Sequence, residues 1–226
     1  MSSLFSIFSR TSLGRVLIWF IHLPLFVNAG PLFVSEPVLE QALAKSLRVE
    51  RDSLTTELIA EKLIYFELNN AGLRDLTGLE SAKNLRVLVL RDNLIEDISP
   101  LSDLPYLQKL DLSGNKISNL SPFSGLSAQK MEDEIAQIRL KLSNYRTPKN
   151  EIAELVVSLS DKLRRLKRGP WQLQELSLAN NRLLGLSGIS HLSTLRNLNV
   201  AGNSLIDLEG ISTLKNLTTF YAHGNQ

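Results

Sequence analysis

Cysteine is absent from all 226 residues of this chain. Without it there is no disulfide framework, no thiolate metal site and no cysteine nucleophile, so the chain must be held by its core and its caps alone. Aromatic residues are scarce at 6%, and histidine occurs three times. His22 lies within an N-terminal apolar run, and His191 and His223 fall at different points of different repeats. No paired ligand spacing, phosphate loop or nucleophile elbow is present, so the sequence offers no catalytic, cofactor-binding or metal-binding constellation. Isolated acids such as Asp97 and Asp207 stand at turn positions, where a carboxylate caps or solvates. Neither a nucleic acid nor a small-molecule substrate is expected as a partner, and no cofactor.

What the chain has in abundance is leucine at a fixed period of 22 residues. From Leu85 the ladder runs Leu85, Leu88, Leu90, Asn93, Ile95, Ile98, Leu101, Leu104, and it returns from Leu107, from Leu173 and from Leu195. Self-similarity at this period specifies a leucine-rich-repeat solenoid, an α/β fold in which each coil adds one strand to a curved parallel sheet. The opening L-x-x-L-x-L alternates as a half-buried strand does. The asparagine that follows (Asn93, Asn115, Asn181, Asn203, Asn225) stands where the chain turns inward, and an amide that both donates and accepts satisfies backbone groups buried there. Ala71 takes that position in the first repeat, Leu63 to Asn84. Ser99-Pro100, Ser121-Pro122 and the glycines Gly78, Gly188 and Gly210 in the return halves predict a thin convex side of 3₁₀ turns.

The ends differ from the repeats. In residues 1–29, Arg10 and Arg15 precede an apolar run from Val16 to Phe26, and Val27-Asn28-Ala29 supplies small residues suited to cleavage. This is the pattern of a secretory signal cut near Ala29, with an uncleaved anchor as the other reading. Export places the protein outside the cytoplasm, secreted or in the periplasm or cell envelope. Residues 30–62 read as a helical cap, with Ser35 capping a helix from about Glu36 to Leu47 and Thr55 opening a second. Repeats one to three then occupy 63–128, and repeats four to six occupy 173–226. The last begins at Leu217 and reaches Asn225 with no cap after it, which reads either as a fragment or as an edge covered by end-to-end association.

The stretches FVSEPVLEQALAKSL, DSLTTELIAEKLIYFELNNAGLRDLTGLESAKNL and NLRVLVLRDNLIEDISPLSDLPYLQKLDLSGNKISNLSPF resemble the helical cap and repeats of the internalins, a family of exported bacterial leucine-rich-repeat proteins. The resemblance covers most of residues 31–126 and 173–226. It implies an exported protein whose concave face binds another protein. The sequence shows no Ig-like domain and no wall-anchoring tail, and its ladder is interrupted, so a role in host invasion is not carried over.

The interruption is residues 129–172, two repeat lengths without the template. Met131, Ile135, Ile138 and Leu142, then Ile152, Val156, Leu159, Leu163 and Leu166, follow the 4,3 spacing of helices packed along each other. An antiparallel helical hairpin is expected, turning at Asn144 to Thr147, with Thr147 as N-cap and Pro148 at the first helical position, and stopping at Gly169-Pro170. This segment holds ten Lys/Arg against six Asp/Glu, whereas cap and repeats together carry −4. Lys162, Arg164, Arg165, Lys167 and Arg168 cluster at its end, as a docking patch for a partner or an anionic surface, or simply as cations favoured at a helix C-terminus.

On the concave face the outward strand positions include Tyr65, Val87, Val89, Arg91, Lys109, Asp111, Glu175, Asn199, Tyr221 and His223. Tyr65, Arg91 and Tyr221 are the residue types that anchor interfaces, with Val87 and Val89 as an exposed apolar patch. The expected function is an exported, non-catalytic protein-binding module using this face, the hairpin, or both. A structural envelope spacer, a piece of a larger repeat protein and a phosphatase-regulator type of repeat protein are the other readings.

Overall fold

A computed structural model describes residues 32–124, 128–144, 146–168 and 172–226, excepting the side chains of 128–131, 161 and 164–168. The expected leader at 1–29, Gly169-Pro170 and Trp171 lie outside the described residues.

The chain opens with helix α1 (Pro37–Leu47), a 3₁₀ turn (Arg51–Ser53) and helix α2 (Thr56–Lys62). Leu39 and Leu43 of α1 and Ile59 of α2 are fully buried and join one core cluster that continues through the repeats to Leu214. Thr55 caps α2 as its sequence predicts, accepting from the Leu58 amide at 3.2 Å. Ser35 does not cap α1. The N-cap is Glu36, and its carboxylate reaches instead to the Arg74 and Asp75 amides of the first coil at 2.8 and 2.7 Å. Ser35 donates to the Asp75 carboxylate. Both side chains therefore tie the cap to the first coil, a contact between segments 38 to 40 residues apart that local helix rules do not register.

Six three-residue strands follow: β1 (Tyr65–Glu67), β2 (Val87–Val89), β3 (Lys109–Asp111), β4 (Glu175–Ser177), β5 (Asn197–Asn199) and β6 (Thr219–Tyr221). They form one parallel sheet in chain order. This is the leucine-rich-repeat solenoid that the ladder specifies. The central residue of each strand from β1 to β5 is buried, Phe66, Leu88, Leu110, Leu176 and Leu198, while Phe220 of β6 is half-buried. On the convex side are 3₁₀ turns at Leu79–Ser81, Ser99–Leu101, Ser187–Ile189 and Ile211–Thr213, as expected, and one α-turn, α3 (Ser121–Ser124), in the third coil.

The asparagine column joins the coils. Asn181 accepts from the Ile117 amide of the preceding coil at 3.0 Å and donates to Leu112 O and to Leu178 O of its own coil, each at 3.0 Å. Asn93, Asn115, Asn203 and Asn225 repeat the pattern on Leu73, Ile95, Leu183 and Leu205. Asn93, Asn115, Asn181 and Asn203 are buried, and their partners are backbone groups of the two coils each one joins.

The ladder closes across the interruption without a slip. Lys109, Leu110 and Asp111 pair with Glu175, Leu176 and Ser177. Beside this joint the convex turns meet closely: a Cβ on Gly188 would lie 2.3 Å from the Leu120 carbonyl oxygen, so coil four packs backbone against backbone on coil three. The intervening residues form helices α4 (Ala128–Ser143) and α5 (Lys149–Arg168), which pack against each other. They run antiparallel, since Lys162 pairs with Glu134 and Lys141 with Glu151. In the turn, Thr147 does not act as the helix cap. Its hydroxyl donates back to Lys141 O at 2.6 Å, filling a carbonyl at the end of α4, and Pro148 precedes α5 rather than opening it.

Two outcomes follow for stability. Asn181→Ala should lower the urea-unfolding free energy by about 2–5 kcal/mol, because it strands several buried backbone groups at once; a loss within 0.5 kcal/mol would refute the role given to the column. The Asp75 carboxyl is held below its ordinary value by hydrogen bonds from Ser35 and then from Thr77. A depressed carboxylate adds stability above its unfolded pKa and loses it as pH falls through the folded value. Ser35→Ala should therefore raise the Asp75 pKa in an NMR titration, and its stability deficit at neutral pH should shrink in acid.

Candidate functional site

Parallel strands stacked about 4.8 Å apart bring equivalent residues of successive coils into rows. The first row on the concave face is Tyr65, Val87, Lys109, Glu175, Asn197, Thr219. The second is Glu67, Val89, Asp111, Ser177, Asn199, Tyr221. One position further along each coil stand Asn69, Arg91, Ser113, Ala179, Ala201 and His223.

Rows at this spacing bury more than alternation alone indicates. Val89, between Glu67 and Asp111, is 8% exposed, and Val87 is half-buried, so the expected exposed apolar patch is reduced to part of Val87. Asp111 is also corrected: it points outward from the sheet yet is 5% exposed. Arg91 Nε lies 2.6 Å from its carboxylate, and Ser113 donates to it through both N–H and Oγ at 3.1 and 2.7 Å. That hydrogen bond to Asp111 also holds the Arg91 guanidinium above its ordinary pKa. Ala179 and Ala201 are covered in the same way.

The charges of the first four strands satisfy one another. Tyr65 donates to Glu67, which raises the Tyr65 pKa; Asn69 donates to Glu67 at 2.6 Å and accepts from the Arg91 amide at 2.8 Å. Lys109 Nζ lies 2.8 Å from Glu175. Beyond Glu175, strands β5 and β6 carry no Asp, Glu, Lys or Arg, and the face there is less committed. Asn199 accepts from the Ala201 amide at 3.1 Å. The side chains of Asn197, Tyr221 and His223 have no hydrogen-bond partner among the described residues, and Tyr221 is 53% exposed. A shallow depression of about 230 Å³ opens here, lined by Lys109, Asp111, Glu175, Asn197, Asn199 and Tyr221 among others.

The structure thus brings Lys109, Asp111, Glu175, Asn199 and Tyr221 together, sets Tyr65 at the far end of the first row, and places His223 beyond β6. Asn197, which also lines the depression, carries no anchor signal in the sequence because it is a small polar residue. Of the basic cluster, Lys162 is engaged by Glu134, and the side chains of Arg164, Arg165, Lys167 and Arg168 lie outside the described residues. A further group escaped sequence reading. Leu184 and Ile206 occupy the same repeat position on the flank of coils four and five and are both exposed, where the earlier coils carry Arg74, Glu96 and Ser118.

Comparisons with known proteins agree with the repeat architecture. A two-copy leucine-rich-repeat model matches residues 83–125, and a single leucine-rich-repeat model matches 172–192, one on each side of the hairpin. No curated protein sequence matches. Among solved structures, internalin C2 of Listeria monocytogenes is similar at 24% identity and a TM-score of 0.41, covering 84% of this chain and 85% of that one. An internalin F of the same species shows 17% identity, coverage of 90% and 74%, and a TM-score of 0.41. A leucine-rich-repeat protein of Leptospira interrogans shows 22% identity, coverage of 81% and 34%, and a TM-score of 0.48.

The two ion pairs on this face separate by burial. Arg91→Ala leaves a buried carboxylate without its cation and should cost about 1–3 kcal/mol in urea unfolding. Lys109→Ala breaks a pair exposed on both sides and should cost less than about 1 kcal/mol. Equal losses would show that Asp111 is not held as described.

Proposed function

We propose that this chain is an exported, non-catalytic protein-binding module that takes its partner on the β4–β6 half of the concave face, with the hairpin sharing the contact. Leucine-rich-repeat proteins are generally protein-interaction modules, and the curved sheet is the extended surface they use. Export is supported by Arg10 and Arg15 ahead of the apolar run Val16 to Phe26.

One observation carries the choice of half. A partner meeting β1–β3 must displace pairs that already satisfy Glu67, Arg91 and Asp111, whereas Asn197, Tyr221 and His223 offer unspent donors and acceptors beside an exposed ring. Breaking an internal ion pair to form another gains little, and an aromatic anchor beside free amides gains more. Tyr65 stands apart because its hydroxyl is committed to Glu67.

The test is affinity capture from the source cell's envelope and surroundings with three baits: the full chain, its Tyr221→Ala/Asn197→Arg variant, and the chain with 129–172 replaced by a short loop. The double substitution should weaken retention of a specific partner at least tenfold, about 1.4 kcal/mol or more. A partner held equally by the first two baits and lost from the third would place recognition on the hairpin alone.

A further inference from the structure

One residue ahead of the strands, the coils present a row of a second kind. Arg86, Gln108, Gln174 and Arg196 precede β2, β3, β4 and β5, and all four are exposed. Their main chains are bonded in that order: Gln108 N donates to Arg86 O, Gln174 N to Gln108 O and Arg196 N to Gln174 O, each at 2.8 Å. The side chains therefore stand at successive strand spacings along one lip of the concave face, with the two arginines about 14 Å apart. None of the four side chains has a hydrogen-bond or ion-pair partner among the described residues.

The neighbours of this row leave both cations unanswered. Glu175, the next residue after Gln174, is held by Lys109 at 2.8 Å. One place earlier in the same coils stand Asn84, Tyr106, Gln172 and Thr194, which carry no charge. The lip is thus positive at two points and neutral between them. A guanidinium at each end suits a carboxylate, which it can bind through two parallel hydrogen bonds. The glutamine amides between them both donate and accept, matching the N–H and C=O groups of an extended main chain, which a helix spends on itself. Four residues of extended chain span about 13 Å and bring side chains i and i+4 to the same side, so two acids at that spacing meet the two arginines. A nucleic acid carries charge along its whole length and would call for cations at the middle positions as well.

We propose that Arg86 and Arg196 clamp two carboxylates, four residues apart, on an extended acidic segment of a protein partner, with Gln108 and Gln174 binding the main chain between them. This rests on the reading that the concave face receives a protein, and adds the chemistry of the segment at its lip. Arg196 and Gln174 immediately precede Asn197 and Glu175, so the bound segment runs beside the shallow depression.

The probe is a fluorescein-labelled peptide, acetyl-Thr-Glu-Thr-Val-Thr-Glu-Thr-amide, titrated with the full chain at low salt and followed by fluorescence anisotropy. Saturable binding is expected, absent from the peptide with glutamine in place of both glutamates. Arg86→Gln/Arg196→Gln should weaken it about tenfold or more. Arg182→Gln/Lys215→Gln removes the same charge from exposed positions elsewhere in the repeats and should change it less than about twofold. No binding, equal binding of the glutamine peptide, or equal losses from the two double variants would overturn the proposal. Equal or tighter binding of a short oligothymidylate would overturn it in favour of a nucleic acid. A partner captured on the full chain separates this proposal from the reading it rests on. Retention lost with Tyr221→Ala/Asn197→Arg but unchanged with Arg86→Gln/Arg196→Gln would overturn the clamp and leave the concave-face reading standing. The converse would support the clamp and overturn the choice of Tyr221 and Asn197 as anchors.

Discussion

One amide in every coil after the first holds this molecule together between its layers of leucine. Leucines supply the driving force for burial, and their alternation sets which face of each strand turns inward, but a three-residue strand has little ladder of its own. The asparagine side chain adds directional contacts between coils. It accepts from the amide of the coil before it and donates to carbonyls in both coils, so a coil seated one residue out of place would strand several buried polar groups. The flat rows of the concave face are a consequence. Equivalent residues stand opposite one another because both the buried leucines and the asparagine amides favour that alignment, and Val89 and Asp111 are covered by the neighbours it brings alongside.

The same constraint explains how the chain tolerates a long interruption. Asn181 reaches Ile117 across the inserted hairpin as Asn203 reaches Leu183 without one. The hairpin leaves after one coil is complete and returns before the next begins, and it has its own internal packing through Ile135 and Ile138, which are buried. Coil four meets the turn of coil three at Gly188, where only a residue without a side chain fits. The solenoid keeps its geometry, and the hairpin is left to present a surface of opposite charge balance to its host.

Fold and surface were legible in the sequence to different depths. The 22-residue ladder, the thin convex turns, the Thr55 cap and the helical hairpin all follow from periodicity and local turn chemistry, which neighbouring residues enforce. Ser35 was read as a helix cap because nothing local shows that Asp75 and the first coil compete for the cap segment. The outward positions of the strands were identified from alternation, but alternation reports direction and not access. It cannot show that Arg91 closes over Asp111, or that Ile152, Val156 and Leu163 of the α5 seam stay exposed.

The sequence by itself therefore determined which side chains enter the core, where the coils turn and how often, since each depends on residues within one repeat and on the requirement that buried backbone be paired. Tertiary structure alone decided which outward groups are spent on one another and which remain free. That depends on distances between coils 22 residues apart, or 66 across the hairpin, and on the rotation of one helix against another. A surface is defined by what its neighbours leave uncovered, and the neighbours are known only once the chain has folded.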